Sequence, residues 1–232
     1  MLPTFTNTCI LAAALAASTQ AAIVDNSYWA DKHTFNETSG KNLTINAGIV
    51  SSANAATNQL ISSGRTAVGH PDNYASAANA TRVQRVFPEA DFDSYFPDSV
   101  YSYSDFLRAV AKFPAFCNES NSPNGLDLDG TCKRELAAFF AHVDVQTQGL
   151  TVVEDPNCAG ACWRGPLGIN GAVDYGLFSS VFYEGYDRSA ELVDNPARVS
   201  EDGYVAFASA MYLWMTAKLP ATSPHNSMTG FF

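Results

Sequence analysis

Apolar residues recur at helical spacing in three stretches of the second half of this 232-residue chain. In the first, Ser102 stands three positions before Asp105, a spacing that lets the hydroxyl accept from the first turn of a helix. Phe106, Leu107, Val110 and Phe113 follow at i, i+1, i+4 and i+7, one face of that helix, and Pro114 stops it. The pattern predicts a second helix over about residues 133–147, with Leu136, Phe139, Phe140 and Val143 as its apolar stripe and Gly149 beyond its end. A third is predicted over about residues 204–215. It turns Tyr204, Phe207, Met211 and Trp214 or Met215 inward, and Pro220 closes it. Residues 158–175 and 194–196 read as turns. Strand-like alternation is scarce throughout, so the expected fold class is mainly α.

The first ninety residues have a different character. Residues 1–17 lack any charged side chain and hold a nine-residue apolar run from Cys9 to Ala17. That run is too short to cross a bilayer, which needs roughly 20 residues. It fits the central region of a signal peptide, with Thr19-Gln20-Ala21 as the cleavage site, although only the terminal amine supplies positive charge. A buried N-terminal helix is the competing reading. Residues 22–90 are rich in Ala, Ser, Asn and Thr, as in Ser51-Ser52-Ala53-Asn54-Ala55-Ala56. Such a segment forms either short helices or a flexible stalk. The expected organisation is a signal peptide over 1–21, an Ala/Ser/Asn-rich extension over 22–90 and a helical domain over 91–232.

Charge and cysteines narrow the compartment and the partners. The formal net charge is −10, and no Lys/Arg cluster stands against it, so phosphate backbones are excluded as partners and nucleic acid with them. A neutral or cationic ligand suits this chain. No later stretch is apolar enough to span a membrane, so the expectation is an exported, secreted monomer with no membrane partner. Cys9 leaves with the signal, and Cys117, Cys132, Cys158 and Cys162 remain. Four cysteines allow three pairings, of which sequence order favours Cys117–Cys132 and Cys158–Cys162. Zinc is the weaker reading, because no pair is CxxC and no His flanks one. Sequons at Asn36, Asn42, Asn79 and Asn118 add candidate glycan sites.

Four blocks then resemble one family in the right order. They are Tyr101-Ser102-Tyr103-Ser104-Asp105-Phe106 running on to Phe113-Pro114-Ala115-Phe116, and Lys133-Arg134-Glu135-Leu136-Ala137-Ala138-Phe139-Phe140-Ala141-His142. Arg164-Gly165-Pro166 with Tyr175-Gly176 is the third. The fourth is Val205 through Thr216, continued by His225-Asn226-Ser227-Met228-Thr229-Gly230, with Tyr212 and Leu213 departing from the usual Trp and aromatic. Together they resemble the catalytic domain of the family 19 glycoside hydrolases, the plant-type chitinases. The resemblance implies a lysozyme-like helical fold with a long substrate cleft. It also implies inverting cleavage of β-1,4-linked N-acetylglucosamine polymers such as chitin, with no metal or organic cofactor. Inversion needs one protonated carboxyl to release the leaving oxygen and one ionised carboxylate, roughly 6.5–9.5 Å away, to activate water.

The match breaks at the acid. Where the family's helix ends in His-Glu-Thr, this chain reads Val145-Gln146-Thr147. Gln146 thus holds the general-acid position, and an amide has no proton to give at any useful pH. His142, one turn earlier, is the one neighbour that could donate instead. The family's base lies about nine residues after the acid in a Gly-Leu-containing stretch, which Gly149-Leu150-Thr151-Val152-Val153-Glu154 resembles with one residue deleted. Glu154 is therefore the candidate base, against the alternative of an ordinary solvated carboxylate. On the cleft floor the family pattern Ile-Gln-Leu-Ser is replaced by Leu167-Gly168-Ile169-Asn170. The family's sugar-contacting Gln falls on Gly168, and its water-holding Ser falls on Asn170. Val173 and Asp174 replace a Tyr and an Asn of the cleft. Substrate contact is expected from Asn170, Asp174, Tyr175 and Asn226. Arg164 and Tyr175 both match the family and both have a structural alternative, packing for Tyr175 and pairing with a carboxylate for Arg164, where it is the favoured reading. The chain stops at Phe232, where the family usually continues, so it reads as naturally short or as truncated. The expected function is weak or absent chitin hydrolysis, with a non-catalytic, lectin-like chitin binder as the alternative and a scaffold without sugar binding as the third.

Overall fold

A computed structural model describes residues 73–121, 125, 127–157, 160–184, 188–217 and 222–230. The expected signal peptide, and the sequons at Asn36 and Asn42, lie outside the described residues. A 3₁₀ turn, Tyr74–Ser76, leads into α1 (Ala78–Val86), α2 (Glu89–Tyr95), α3 (Tyr103–Lys112) and α4 (Leu128–Thr147). After a long irregular stretch come α5 (Ala172–Phe182), α6 (Glu191–Asp194), α7 (Arg198–Glu201), α8 (Gly203–Met215) and α9 (Pro224–Thr229). Among the described residues the only β pairing is a set of isolated bridges, Glu154 with Arg164 and Arg164 with Ile169. The class is mainly α.

Local chemistry explains the helix ends. Ser102 and Asp105 form a reciprocal capping box on α3, satisfying two amides that the helix geometry leaves over. In α4 the Asp127 carboxylate accepts from the Gly130 amide at 2.7 Å, so the helix begins five residues before the apolar stripe predicts. Asp202 caps α8 by accepting from the amides of Tyr204 and Val205. The predicted stripes of α3 and α4 are buried: Phe106, Leu107, Val110 and Phe113, then Leu136, Phe139, Phe140 and Val143. α8 goes further, since every residue from Tyr204 to Tyr212 is buried. A helix apolar on all sides belongs in the centre of a domain. It packs chiefly on α3 and α7.

Aromatic rings fill the junction of α2, α3, α4 and α8. Phe106 lies 4.9 Å from Phe140 and 5.3 Å from Phe207, centroid to centroid, and Phe139 meets Trp214 edge-on at 5.4 Å. Burying each such side chain contributes about 1.5–3 kcal/mol. α1 lies within the segment read as an extension, and it enters this core through Ala80 and Val83. Its Asn79 amide donates to the carbonyls of Val110 and Phe113 at 2.6 and 3.0 Å, closing the end of α3. Asn79 is only 2 % exposed. The folded chain cannot present that sequon nitrogen for glycosylation.

A polar cluster seats α9 on α4. Glu135 is wholly buried and accepts from the Cys117 amide at 2.9 Å and the Trp214 indole N–H at 3.0 Å. His225 Nδ1 stands 2.6 Å from the same carboxylate, and its Nε2 stands 3.2 Å from Glu119. Next to this cluster a disulfide joins Cys117 to Cys132, 15 residues apart, as sequence order predicts. Cys162 is also disulfide-bonded, and its expected partner Cys158 lies outside the described residues. Closing a loop of that length should stabilise the fold by about 3 kcal/mol, chiefly by restricting the unfolded chain. Urea unfolding of the Cys117→Ser/Cys132→Ser variant, with the second bridge intact, should show that loss. An unchanged midpoint would contradict it.

Candidate functional site

The site begins where α4 ends. Three successive residues, Gln148, Gly149 and Leu150, take positive φ of 50, 74 and 64° and turn the chain back. The left-handed region costs a non-glycine residue about 1–2 kcal/mol, so something must hold Gln148 and Leu150 there. Thr147 does much of this. Its hydroxyl donates to the Val143 carbonyl at 2.6 Å and accepts from the Leu150 amide at 2.8 Å. Its carbonyl accepts from the Thr151 and Val152 amides. Leu150 is fully buried, and its carbonyl accepts from Val100. Gln146 sits two residues before Gln148 and is half-buried, at the core margin that its angle on the helix implies.

Beyond the turn the chain returns as a short ladder. The Asp155 amide donates to the Trp163 carbonyl and the Gly165 amide to the Val153 carbonyl, which sets Glu154 directly opposite Arg164. In such a non-hydrogen-bonded antiparallel pair the side chains stand close on one face. Arg164 Nε donates to Glu154 Oε2 at 3.1 Å, and the Ser200 hydroxyl donates to the same oxygen at 2.8 Å. Ser200 is itself held, because the Tyr101 hydroxyl donates to its carbonyl at 2.8 Å. The carboxylate stays 47 % exposed while Arg164 is almost wholly covered. Arg164 therefore pairs a carboxylate, and that carboxylate is Glu154.

Tyr175, on the first turn of α5, is fully buried, and its hydroxyl donates to the Cys162 carbonyl at 2.8 Å. Burial pushes its pKa up, and the Glu154 charge adds to that against the opposing pull of Arg164. Burial works against the charge of Arg164, yet Tyr175 and Glu154 outweigh it and hold the guanidinium protonated. For Tyr101, burial and then the charge of Glu154 drive the phenol well above its ordinary range. Both phenols stay neutral near pH 7 and act as fixed donors.

Arg164 and Ile169 exchange both backbone hydrogen bonds, closing a loop over residues 165–168. Side chains alternate across such a ladder. Ile169 is buried beside Arg164, whereas Asn170 is exposed. Gly168 carries the indole of Trp163. A Cβ placed at 168 would fall 1.9 Å from the Trp163 Nε1 and 2.2 Å from its Cδ1, and φ there is +67°. No residue but glycine fits under that ring. The Trp163 Nε1 is buried without a hydrogen-bond partner.

The fold thus gathers Glu154, Arg164 and Tyr175 around one guanidinium, with Asn170 on the same ladder and Asp174 next to Tyr175. Asn226 lies in α9 with its Oδ1 buried and unpaired. That helix packs beside Arg134 and Glu135, about three turns of α4 before Gln146. His142 is exposed and rests against Trp214 at 6.0 Å. Among the described residues no group of His, Cys, Asp or Glu could hold a metal ion. Sequence reasoning did not single out Trp163, Ser200 or Tyr101 for this site, since each works through a contact made across the fold.

These features define a mainly α, lysozyme-like domain with a polar cluster at the end of its longest described helix. Residues 163–232 match the glycosyl hydrolase family 19 profile described as Chitinase class I. Chitinase 11 of Oryza sativa subsp. japonica is 33 % identical over 144 residues, 56 % of this chain and 51 % of that protein. Chitinase 7 of the same plant is 31 % identical over 179 residues, 67 % of this chain and 49 % of its own length. The chain spans about half the length of both relatives. A solved bacterial family 19 chitinase superposes with a TM-score of 0.52 at 26 % identity, over 62 % of this chain and 76 % of that one. Chitinase C from Streptomyces griseus gives 0.51 at 25 %, over 62 % and 74 %. The helical part of this chain is a divergent family 19 chitinase domain.

Proposed function

We propose that this chain is a secreted protein directed at chitin or a related β-1,4-linked N-acetylglucosamine polymer, in which hydrolysis is weak or absent. The observation that carries the reading is Gln146, an amide on the last turn of α4 where the family resemblance places the general acid. Glu154 is the candidate base. Arg164 and Ser200 both bond its Oε2, which orients the carboxylate and leaves Oε1 to take a proton from water. Removal of a general acid lowers rate by about 10²–10⁴. The Cys117–Cys132 bridge supports an oxidising, extracellular compartment. Among the described residues no helix is long and apolar enough to cross a membrane. Residues 1–21 are proposed as the signal that sends the chain there, ahead of an extension.

The lectin-like reading has its own support in the altered floor at Gly168 and in the missing acid. Two measurements on the purified protein separate the readings. Calorimetry with a chitin hexamer should show binding, and a turnover assay on the same oligosaccharide should show little or no cleavage. Turnover at the rate of an ordinary family member would remove the weak-enzyme reading. Absence of heat at millimolar hexamer would leave only a scaffold.

A further inference from the structure

On the strength of the exported reading, we propose that Asn118 carries an N-linked glycan in the folded chain and that Asn79 stays bare. Both sequons lie among the described residues, Asn79-Ala80-Thr81 and Asn118-Glu119-Ser120. They commit their carboxamides in opposite ways. Asn79 uses its nitrogen, which donates to the carbonyls of Val110 and Phe113 at 2.6 and 3.0 Å from a position only 2 % exposed. Asn118 uses its oxygen. Arg82 Nη1 donates to Asn118 Oδ1 at 2.6 Å and to the Cys117 carbonyl at 2.9 Å, while Asp129 accepts from Arg82 Nε at 3.2 Å. Asn118 is half-buried, and among the described residues its Nδ2 is neither hydrogen-bonded nor sealed from solvent.

The chemistry of the modification makes that difference decisive. The amide nitrogen displaces a lipid diphosphate from C1 of a lipid-linked oligosaccharide. The N–C1 bond forms, the C1–O bond to phosphate breaks, and the nitrogen gives up one of its two protons. The carbonyl oxygen is unchanged. A glycosylated Asn118 therefore keeps its bond from Arg82. A glycosylated Asn79 would lose one of its two donors, leave a buried carbonyl at the end of α3 unpaired, and force a sugar into the core. Transfer meets the chain while it is extended, before the Ser120 hydroxyl pairs with Thr131 Oγ1, 2.9 Å away in the fold. Folding then selects, because only the chain bare at Asn79 can close. The Asn118 glycan stands beside Asp129 in the first turn of α4. That is roughly 25 Å along the helix from Gln146, so the candidate site stays open.

The test expresses the full chain in a eukaryotic cell and recovers it from the medium. Enzymatic release of N-glycans in heavy-oxygen water converts each glycosylated Asn to a labelled Asp, and mass spectrometry then reads both sequon peptides. The expected result is label at Asn118 in most secreted chains and at Asn79 in almost none. Asn118→Gln, which keeps an amide but removes the acceptor, should abolish that label and lower the mass of the secreted chain by one glycan. Secreted chain unlabelled at Asn118 would overturn the assignment and leave the exported reading standing. Secreted chain labelled at Asn79 would overturn it equally, since a committed nitrogen would then be no bar. A chain that never reaches the medium would overturn both.

Discussion

Gln146→Glu should raise cleavage of chitin oligosaccharides by up to about 10²–10⁴ over the parent chain. The gain would come from supplying the one group that an amide cannot imitate, a proton for the leaving oxygen. Position 146 suits that role. It is half-buried in the final turn of α4, next to a chain reversal pinned by Thr147 and the buried Leu150. Partial desolvation disfavours the charged form of a carboxyl and keeps it protonated nearer neutral pH. Gln is nearly isosteric with protonated Glu, so the exchange needs no repacking. Glu154→Gln in the same background should abolish the gain, because the water then has no base. Steady-state turnover of a chitin hexamer by the parent, the single variant and the double variant checks both steps. If Gln146→Glu folds and binds the hexamer yet cleaves no faster, the deficit extends beyond the acid. The ring over Gly168 would be the next place to change.

The largest expected effect on stability lies at the other end of α4. Glu135→Ala should cost about 3–5 kcal/mol, the usual penalty for removing one partner of a buried charged pair. In a domain of this size that lowers Tm by roughly 10 °C. The substitution strands the Trp214 indole N–H, the Cys117 amide and His225 Nδ1 together. His225 also makes the cluster pH-dependent. Burial alone would disfavour its protonation, but the carboxylates of Glu119 and Glu135 overcome this and raise its pKa above the ordinary 6.5. The folded state therefore holds a proton that the unfolded state releases more easily. This contribution is complete below about pH 6.5, the unfolded value, and is lost as pH rises through the higher folded value. Stability should fall across that window, and His225→Gln should flatten the fall. Urea unfolding from pH 5 to 9 measures both. An identical pH slope in the parent and His225→Gln would rule out His225 as its source.

Much of the framework is legible in the sequence, because it depends on signals close together in the chain. Ser102 and Asp105 satisfy each other's backbone within one turn, so the start of α3 was written in a four-residue motif. The stripes of α3 and α4 fell at the right spacing because burial on a helix repeats every 3.6 residues. α5 was missed for the same reason. Over Ala172–Phe182 nearly every side from Tyr175 onward is buried, so no polar face marks the period, and Gly171 at its start reads as a turn. α1 was hidden by the Ala/Ser/Asn-rich segment in which it lies. Its Asn79 reads in the sequence as a candidate glycan site, whereas the carbonyls ending α3 hold its amide.

The site divides along the same line. The family resemblance was enough to nominate Gln146 as the acid position, Glu154 as the candidate base and Arg164 as the partner of some carboxylate. Only tertiary structure decided that the carboxylate is Glu154, because the partnership depends on a two-bridge ladder between segments ten residues apart. Ser200 reaches the same oxygen from 46 residues away, and Tyr101 steadies Ser200 across 99. Likewise, Gly168 read as a lost sugar contact, while the fold places the Trp163 ring where that side chain would stand. Periodicity reports which face of one element meets water. Which side chain fills a given space depends on how separate elements pack.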